Sequence, residues 1–237
     1  MSGTAIKRIL NRDIKSIQKN KLNEMGIYIE FDEDNMLSAK AMILGPKDSI
    51  YAGGIFLFSI KFPTNYPYAP PQVNYISRGS IRIHPNLYTG SSKDNYLGKV
   101  CLSILGTWSG PQWTTIMDIS SVLISIQSLL DENPLDHEPG FSGKETQAHI
   151  NYKRCVEYET IRTLILKNGF DLPEPYNCFS DVIQSHIQSL KSKLHNFLED
   201  RVNSTYNNKI MVMPMYNIRL PLDYEFLKTR METLFKI

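Results

Sequence analysis

Four prolines within ten residues constrain this chain more than any other feature of its sequence. They lie in the segment FPTNYPYAPP, residues 62–71. Because each proline fixes φ and removes a backbone donor, neither a helix nor a central strand can pass through the segment. We expect a rigid, extended surface loop in which Phe62, Tyr66 and Tyr68 either cover a sheet or form a pre-organised ridge for a partner. The aromatic residue before Pro67 also favours a cis peptide bond there.

Alternating apolar residues on both sides of this loop predict a small antiparallel sheet. In residues 26–31, for example, Ile27, Ile29 and Phe31 share one face, as in a half-buried strand. Short turn-like connections link the segments, which favours pairing between consecutive strands. The predicted sheet is a four-stranded antiparallel meander with strands at residues 26–31, 36–44, 54–62 and 72–76.

Most of the rest of the chain has the apolar spacing of helices. An Asn-Gly pair at residues 168–169, followed shortly by two prolines, interrupts this pattern, and we place a domain boundary there. The prediction is an α+β core domain over residues 1–168 and a helical C-terminal extension over residues 169–237, with a Met-rich linker at residues 211–215. The predicted helices cover residues 2–21, 115–131, 143–168, 179–202 and 222–235.

The composition limits the classes of partner and cofactor. With 26 Lys and Arg against 24 Asp and Glu, the formal net charge is +2, so no global field favours nucleic acid or a membrane surface. Apolar runs are too short for a membrane-spanning helix, and the N-terminus has no secretory pattern. Three widely spaced cysteines without a CxxC pair favour neither a disulfide framework nor a zinc site. We therefore expect reduced thiols in an intracellular compartment and no metal or cofactor of the protein's own.

Cys101 stands in the context most suggestive of chemistry. It follows a polar loop and is therefore expected near the surface, whereas buried cysteines are usually inert apolar residues. A His-Pro-Asn tripeptide, residues 84–86, precedes it. Pro85 restricts the backbone, so the Asn86 amide projects from a defined turn and could donate to a developing oxyanion, an interaction worth about 3 to 4 kcal/mol. The simpler interpretation is that His84 and Asn86 only satisfy backbone groups in that turn.

Taken together and in order, these motifs resemble the ubiquitin-conjugating (E2) enzymes. The similar pieces are GPKDSIYAGGIFLFSIKFPTNYPYAPP, HPN, CLSIL and ISSVLISIQSLL. The segments CLSILGTWSGPQW, NPLDHEPGF, YETIR, LPEP and DYEFLKTRM are similar to the Z-type subgroup of that family, so the resemblance covers nearly the whole chain. It implies the ubiquitin-conjugating (UBC) fold, an antiparallel meander flanked by helices, with an added helical C-terminal extension.

The resemblance implies a role for each residue of the candidate site. Cys101 would accept ubiquitin, or a ubiquitin-like modifier, as a thioester and pass it to a substrate lysine or to the cysteine of an E3 ligase. Asn86 would stabilise the oxyanion, or hold the loop that does, and His84 would support the His-Pro-Asn turn. Either Asp136 or His137 would lie at the mouth of the site and help to position the attacking lysine.

The resemblance also implies partner proteins and a location. An E1 activating enzyme would meet the basic face of the first helix, and E3 ligases would meet the Pro-rich loop and the loop before residues 115–131. The other implied partners are ubiquitin, or a ubiquitin-like protein, and protein substrates. Nucleic acid and membranes are not among the implied partners. Only the E1 would bind ATP, and the cytoplasm and/or the nucleus would be the location. The implied contact residues are Lys7, Arg8 and Arg12 for the E1, and Phe62, Trp113, Thr115 and Ile116 for E3 ligases.

One departure from the family pattern lies beside the reactive thiol. Between Asn86 and Cys101 stand 14 residues, whereas E2 enzymes usually have about half that number. The added loop, TGSSKDN at residues 89–95, is expected to restrict access to the thiol or to bind a particular partner. It could also relax the geometry that the oxyanion role of Asn86 requires.

Two other functions remain compatible with the sequence. A cysteine hydrolase would need a histidine base and an orienting Asn or Asp, and the chain has five histidines from which such a base could come. The order of the His-Pro-Asn tripeptide, the Pro-rich loop and the cysteine has no role in that scheme. A catalytically silent E2-like binding module would keep the fold without the chemistry, and the presence of Cys101 argues against it.

Overall fold

The computed structural model describes residues 2–90 and 96–236 of the chain. The chain divides into two compact units, each built from several segments. The predicted boundary between residues 168 and 169 remains a prediction. Unit 1 comprises Met1–Gly45, Phe56–Arg78 and Asn86–Leu130, and unit 2 comprises Pro46–Ile55, Gly79–Pro85 and Asp131–Ile237.

A five-stranded antiparallel sheet in the order β1-β2-β3-β4-β5 forms the centre of unit 1. The predicted α+β class and meander are confirmed, because the first four strands match the predicted segments in position and order. The fifth strand was not predicted, since it lies in the polar segment before Cys101. The strands are β1 (Ile27–Phe31), β2 (Ser38–Leu44), β3 (Ile55–Lys61), β4 (Gln72–Ile76) and β5 (Leu97–Lys99).

Two helical stretches complete unit 1. The first runs continuously from α1 (Ser2–Arg8) through a π-helical turn (Ile9–Asp13) into α2 (Ile14–Lys19), close to its predicted extent. The second, α3 (Ile119–Ser128), begins four residues later than predicted. The reason is its cap: the Asp118 side chain accepts a hydrogen bond from Ser121 N at 3.0 Å.

The Pro-rich loop covers the sheet with two of its three aromatic side chains. Phe62 and Tyr66 are buried, and their rings meet edge to face at 5.0 Å between centroids. Tyr68 is 76% exposed. The Tyr66–Pro67 peptide bond is cis, as its sequence favours. The loop is also fixed from outside, because Trp113 Nε1 donates to Pro67 O at 2.7 Å.

A buried carboxylate links this loop to both helical stretches of unit 1. Asp13 Oδ1 accepts from the Tyr66 hydroxyl at 2.5 Å and from Ile119 N at 2.9 Å. Burial raises the pKa of Asp13, although both hydrogen bonds and the nearby Arg8 oppose that rise. Asp13 therefore connects the first helix, the Pro-rich loop and the start of α3 through one side chain.

Unit 2 is mostly helical. Its first long helix runs from α4 (Gln147–Glu159) through a π-helical turn (Thr160–Lys167) into α5 (Asn168–Phe170). The helix therefore continues through the Asn-Gly pair at which the sequence pattern predicts its end. The continuation is stabilised by Asn168, which is fully buried and donates from Nδ2 to Ile55 O at 2.8 Å.

The C-terminal part of unit 2 contains a hairpin where a linker was predicted. Helix α6 (Ser180–Val202) leads to β6 (Ile210–Met213) and β7 (Ile218–Pro221), which pair antiparallel, and α7 (Tyr224–Phe235) follows. Two of the three methionines of the predicted linker are buried on one face of this hairpin. The prediction of a linker was wrong because the alternation of those methionines reflects a strand.

One glutamate ties three helices of unit 2 together. Glu157 on α4 accepts two hydrogen bonds from the Arg201 guanidinium on α6, at 2.8 and 2.9 Å, and one from the Tyr224 hydroxyl on α7 at 3.2 Å. The bidentate geometry is the favourable one for an Arg–carboxylate pair. Among the described residues, no helix is both long and apolar enough to cross a membrane.

Removal of the Tyr66 hydroxyl is expected to destabilise unit 1. Tyr66→Phe leaves the buried Asp13 carboxyl with one hydrogen bond fewer, and we expect a loss of about 1 to 3 kcal/mol in the free energy of unfolding. Urea unfolding of the wild type and the variant measures this loss. Tyr68→Phe is the matched control, since its ring is exposed, and should change the free energy by less than about 0.5 kcal/mol. Equal values for the two variants would contradict the role given to Asp13.

Candidate functional site

Two hydrogen bonds join Asn86 to Cys101 within unit 1. Cys101 N donates to Asn86 O at 2.9 Å, and Asn86 Nδ2 donates to Cys101 O at 2.8 Å. The Asn86 side chain is buried, so this pair of bonds is shielded from competing water. The tripeptide and the cysteine that the sequence singles out are therefore brought together despite the residues between them.

The two ends of the intervening segment pair with each other as the arms of a hairpin. Leu87 bridges Val100, and Tyr88 N donates to Lys99 O at 3.0 Å. The long segment therefore does not separate Asn86 from Cys101. Residues 91–95, the greater part of the added loop, lie outside the described residues. The expectation that this loop restricts access to the thiol or binds a partner therefore remains a prediction.

Gly98 permits the close approach of the two arms of this hairpin. A Cβ added at Gly98 would lie 1.7 Å from Tyr88 O, a distance that no real contact can have. No side chain therefore fits at this position without moving the backbone of the opposite arm. Sequence reasoning missed Gly98, because a single glycine in a polar loop gives no signal of a backbone contact.

Cys101 is buried, contrary to the surface position expected for it. The residue is only 2% exposed, and the preceding Val100 is 1% exposed. The expectation was wrong because the chain forms β5 after the polar loop and then continues into the bridge between Val100 and Leu87, both of which are buried. Cys101 thus lies just beyond the end of β5, and both its backbone N–H and its carbonyl are hydrogen-bonded to Asn86.

The other two cysteines differ from Cys101 in their surroundings. Cys155 is fully buried in unit 2, and burial raises the pKa of its thiol to about 12, so it is protonated at neutral pH. Cys178 is exposed in a 3₁₀ turn of the C-terminal part. The two hydrogen bonds that join Cys101 to Asn86 make Cys101 the candidate nucleophile.

The residues before the tripeptide are held firmly in unit 2. The Tyr51 hydroxyl donates to Ile83 O at 2.6 Å, and the Tyr152 hydroxyl donates to Arg82 O at 2.8 Å. His84 is fully buried, and its ring centroid lies 6.3 Å from that of Tyr51. These contacts suit the predicted role of His84 as a structural support.

Asp136 and His137, which the sequence could not separate, have different surroundings in unit 2. His137 packs against His84 at 4.8 Å between ring centroids, and its Nε2 lies 2.8 Å from Asp131 Oδ2. Asp136 instead lines a pocket of about 370 Å³ together with His149. Of the two candidates, Asp136 is therefore the one that lines this pocket, where Glu132 and Glu145 also present carboxylates.

His149 lies between the start of α4 and the Asp136 carboxylate. Thr146 N donates to His149 Nδ1 at 3.3 Å. This contact caps the start of α4, because His149 is the third residue of that helix. The other ring nitrogen, Nε2, lies 3.2 Å from Asp136 Oδ1.

The residues predicted to meet partner proteins fall into three groups in unit 1. Some are exposed, others hold a neighbouring loop, and one is buried. The two arginines donate to carbonyls of the loop before α3: Arg8 to Met117 O at 2.6 Å and to Thr115 O, and Arg12 to Ile116 O. Exposed are Lys7, Thr115 and Ile116; holding a loop are Arg8, Arg12 and Trp113; buried is Phe62.

Among the described residues, no group of three His, Cys, Asp or Glu side chains is arranged to hold a metal ion.

Comparisons with known proteins place these features in a family. The model of the ubiquitin-conjugating enzyme family matches residues 9–160. Ubiquitin-conjugating enzyme E2 Z of Xenopus tropicalis is 37% identical over 232 residues, which are 95% of this chain and 69% of that protein. Its human namesake is 42% identical over 172 residues, 70% of this chain and 46% of that protein. The structure of human ubiquitin-conjugating enzyme E2 G1 covers 52% of this chain and 91% of its own, with 29% identity and a TM-score of 0.40. The predicted resemblance, including that to the Z type, is confirmed by the sequence matches.

A side chain at Gly98 is expected to open the hairpin that joins Asn86 to Cys101. Gly98→Ala places a Cβ against Tyr88 O, and such overpacking typically costs about 1 to 3 kcal/mol of unfolding free energy. Gly3→Ala is the control, because nothing lies within 4 Å of a Cβ there and alanine should stabilise its helix by about 0.5 to 1 kcal/mol. Urea unfolding measures both. A Gly98→Ala variant as stable as the wild type would show that the arms do not approach as described.

Proposed function

Because the chain belongs to the ubiquitin-conjugating enzyme family, we propose that it accepts ubiquitin or a ubiquitin-like modifier from an E1 activating enzyme as a thioester on Cys101. It then passes the modifier to a substrate lysine or to the cysteine of an E3 ligase. Enzymes of this family are transferases. The observation that carries the proposal is the reciprocal bonding of Asn86 and Cys101, because it fixes a cysteine beside a side-chain amide.

The chemistry needs few groups, since a thioester is already an activated acyl group. In the first step the Cys101 thiolate attacks the thioester carbonyl on the E1, a new S–C bond forms, and the E1 thiolate leaves. In the second step a lysine amine attacks the Cys101 thioester, an amide bond forms, the amine loses a proton, and the Cys101 thiolate leaves. Orientation and stabilisation of the developing oxyanion therefore contribute more than a strong general base.

Asn86 is suited to two roles in this reaction. Its bond to Cys101 O holds the backbone of the nucleophile, which is the loop-holding role. An amide nitrogen carries two N–H groups, and the bond to Cys101 O uses one of them. We assign Asn86 first to holding Cys101 and second to donating to the oxyanion of the tetrahedral intermediate.

Of the two candidates for the mouth of the site, we propose Asp136 as the residue that receives the incoming lysine. Its carboxylate lines a pocket and lies 3.2 Å from His149 Nε2. A carboxylate beside the attacking amine lowers the entropic cost of placing that amine. His137 is assigned to the support of His84, on which its ring packs.

The proposed partner surfaces follow the grouping of the contact residues of unit 1 into exposed, loop-holding and buried side chains. We propose that Lys7, Arg8 and Arg12 meet the E1, and that the exposed Ile116 and its neighbours meet E3 ligases. Phe62 would act indirectly, since it is buried beneath the Pro-rich loop. ATP would be used by the E1 alone, and the cytoplasm and/or the nucleus is the proposed location.

A hydrolase would require a histidine base for Cys101, and the order of the tripeptide, the Pro-rich loop and the cysteine has no role in that scheme. Each of the five histidines contacts a group of unit 2. The contacts join His84 to His137, His137 to Asp131, His149 to Asp136, His186 to Gly53 O and His195 to Glu199.

Incubation with E1, ATP and ubiquitin tests the proposal. We expect an adduct on a non-reducing gel that thiol reductants remove, because it is a thioester. Cys101→Ala should abolish this adduct, whereas Cys178→Ser should keep it, since Cys178 is merely exposed. The absence of an adduct with ubiquitin and with every ubiquitin-like modifier tried would favour a silent binding module. Release of free modifier from an ester or peptide would favour a hydrolase.

Substitution of Asn86 should separate loading from transfer. Asn86→Ala removes the donor to the oxyanion, and we expect it to form the thioester but to discharge it to free lysine more slowly, by a factor on the order of 10². Single-turnover discharge of the isolated thioester measures this rate. Unchanged discharge would remove Asn86 from the mechanism.

A further inference from the structure

Two peptide groups flank the Cα atom of Cys101, and together they carry four polar atoms. Asn86 engages one atom of each: its carbonyl accepts from Cys101 N, and its Nδ2 donates to Cys101 O. The other two atoms are the carbonyl oxygen of Val100 and the N–H of Leu102. The orientation of these two peptide groups sets φ and ψ of Cys101, and therefore the direction of its Cα–Cβ bond.

Thr107 engages the two remaining atoms with one hydroxyl. Leu102 N donates to Thr107 Oγ1 at 2.9 Å, and Oγ1 lies 2.7 Å from Val100 O and 3.1 Å from Leu102 O. A hydroxyl has a single proton to donate. Leu102 O already accepts from Thr107 N at 3.2 Å, so the hydroxyl proton is directed to the nearer oxygen, that of Val100.

A short turn after Cys101 brings Thr107 into this position. A 3₁₀ turn at Ser103–Leu105 is followed by Gly106 with φ of +67°, a left-handed conformation that favours glycine. The chain therefore reverses and sets Thr107 beside the residues on either side of Cys101. The turn is closed by its own bonds, from Leu105 N to Leu102 O and from Gly106 N to Ser103 O.

We propose that Thr107 is a positioning residue for Cys101 and that it acts together with Asn86 to fix the direction of the thiol. The proposal rests on the proposed function of Cys101 as the thioester acceptor. Thr107 and Leu102 are only half-buried, so water could satisfy their polar atoms if the hydroxyl were absent. The hydroxyl therefore contributes orientation more than stability, and a small displacement of a reacting atom has a large effect on rate.

Two substitutions separate the hydroxyl from the shape of the side chain. Thr107→Val keeps the shape and removes the hydroxyl, and Thr107→Ser keeps the hydroxyl. The ubiquitin thioester is formed on each protein, the E1 is removed, and discharge is followed at increasing concentrations of free lysine. We expect Thr107→Val to lower kcat by about tenfold or more at an unchanged KM for lysine. Thr107→Ser should restore the wild-type rate to within about twofold.

A second measurement needs no partner protein. The Cα and Cβ chemical shifts of Cys101 report its φ and ψ, and they should move in Thr107→Val and stay in Thr107→Ser. Unchanged shifts in the valine variant would overturn the proposal even if no modifier were ever loaded. A missing adduct on the wild-type protein would instead overturn the proposed function.

The remaining outcomes also test the proposal. Discharge of the thioester by Thr107→Val at the wild-type rate, or equal slowing of discharge in the valine and serine variants, would overturn the role of the hydroxyl. Thr107→Ala, which also lacks the hydroxyl, must show the same slowing and replaces the valine variant if that one does not fold. Thr205→Val is the matched control at an exposed threonine and should discharge as the wild type does.

Discussion

The reciprocal hydrogen bonds between Asn86 and Cys101 are the constraint on which the candidate site depends. They join two residues that are far apart in the sequence for this family, and the residues next to them pair as the arms of a hairpin, Leu87 with Val100 and Tyr88 with Lys99. The number of residues between the arms therefore does not separate Asn86 from Cys101. The close contact at Gly98 is the steric condition for this arrangement, because any side chain there would push the arms apart.

A second constraint links the two surfaces that the family implies for partner proteins. Arg8 and Arg12 lie on the basic face proposed for the E1, yet both donate to carbonyls of the loop that carries the exposed Ile116. The buried Asp13 adds to this link, because it bonds the same helical stretch to the start of α3. Neutralisation of either arginine would therefore change the shape of the Ile116 loop as well as the charge of the helix.

Much of the fold was predictable because its signals are local. Apolar patterns between turn-like segments predicted the first four strands, by alternation in the first and by apolar residues on both faces in the third. The aromatic residue before Pro67 predicted the cis bond. Strand β5 gave no signal, since three residues in a polar loop become a strand only by pairing with β4. The burial of Cys101 was missed for the same reason. Thr107 depends on a reversal of the chain at Gly106, and no sequence spacing indicates which backbone atoms such a reversal brings near a hydroxyl.

Hydrogen bonds hold the peptide groups on both sides of the Cα atom of Cys101, and amide hydrogen exchange tests this most directly. Cys101 N–H is bonded to the Asn86 carbonyl and Leu102 N–H to the Thr107 hydroxyl. We predict that both amides exchange orders of magnitude more slowly than the amide of Thr89, an exposed residue, under native conditions. Exchange of the Cys101 and Leu102 amides as fast as that of Thr89 would contradict the account.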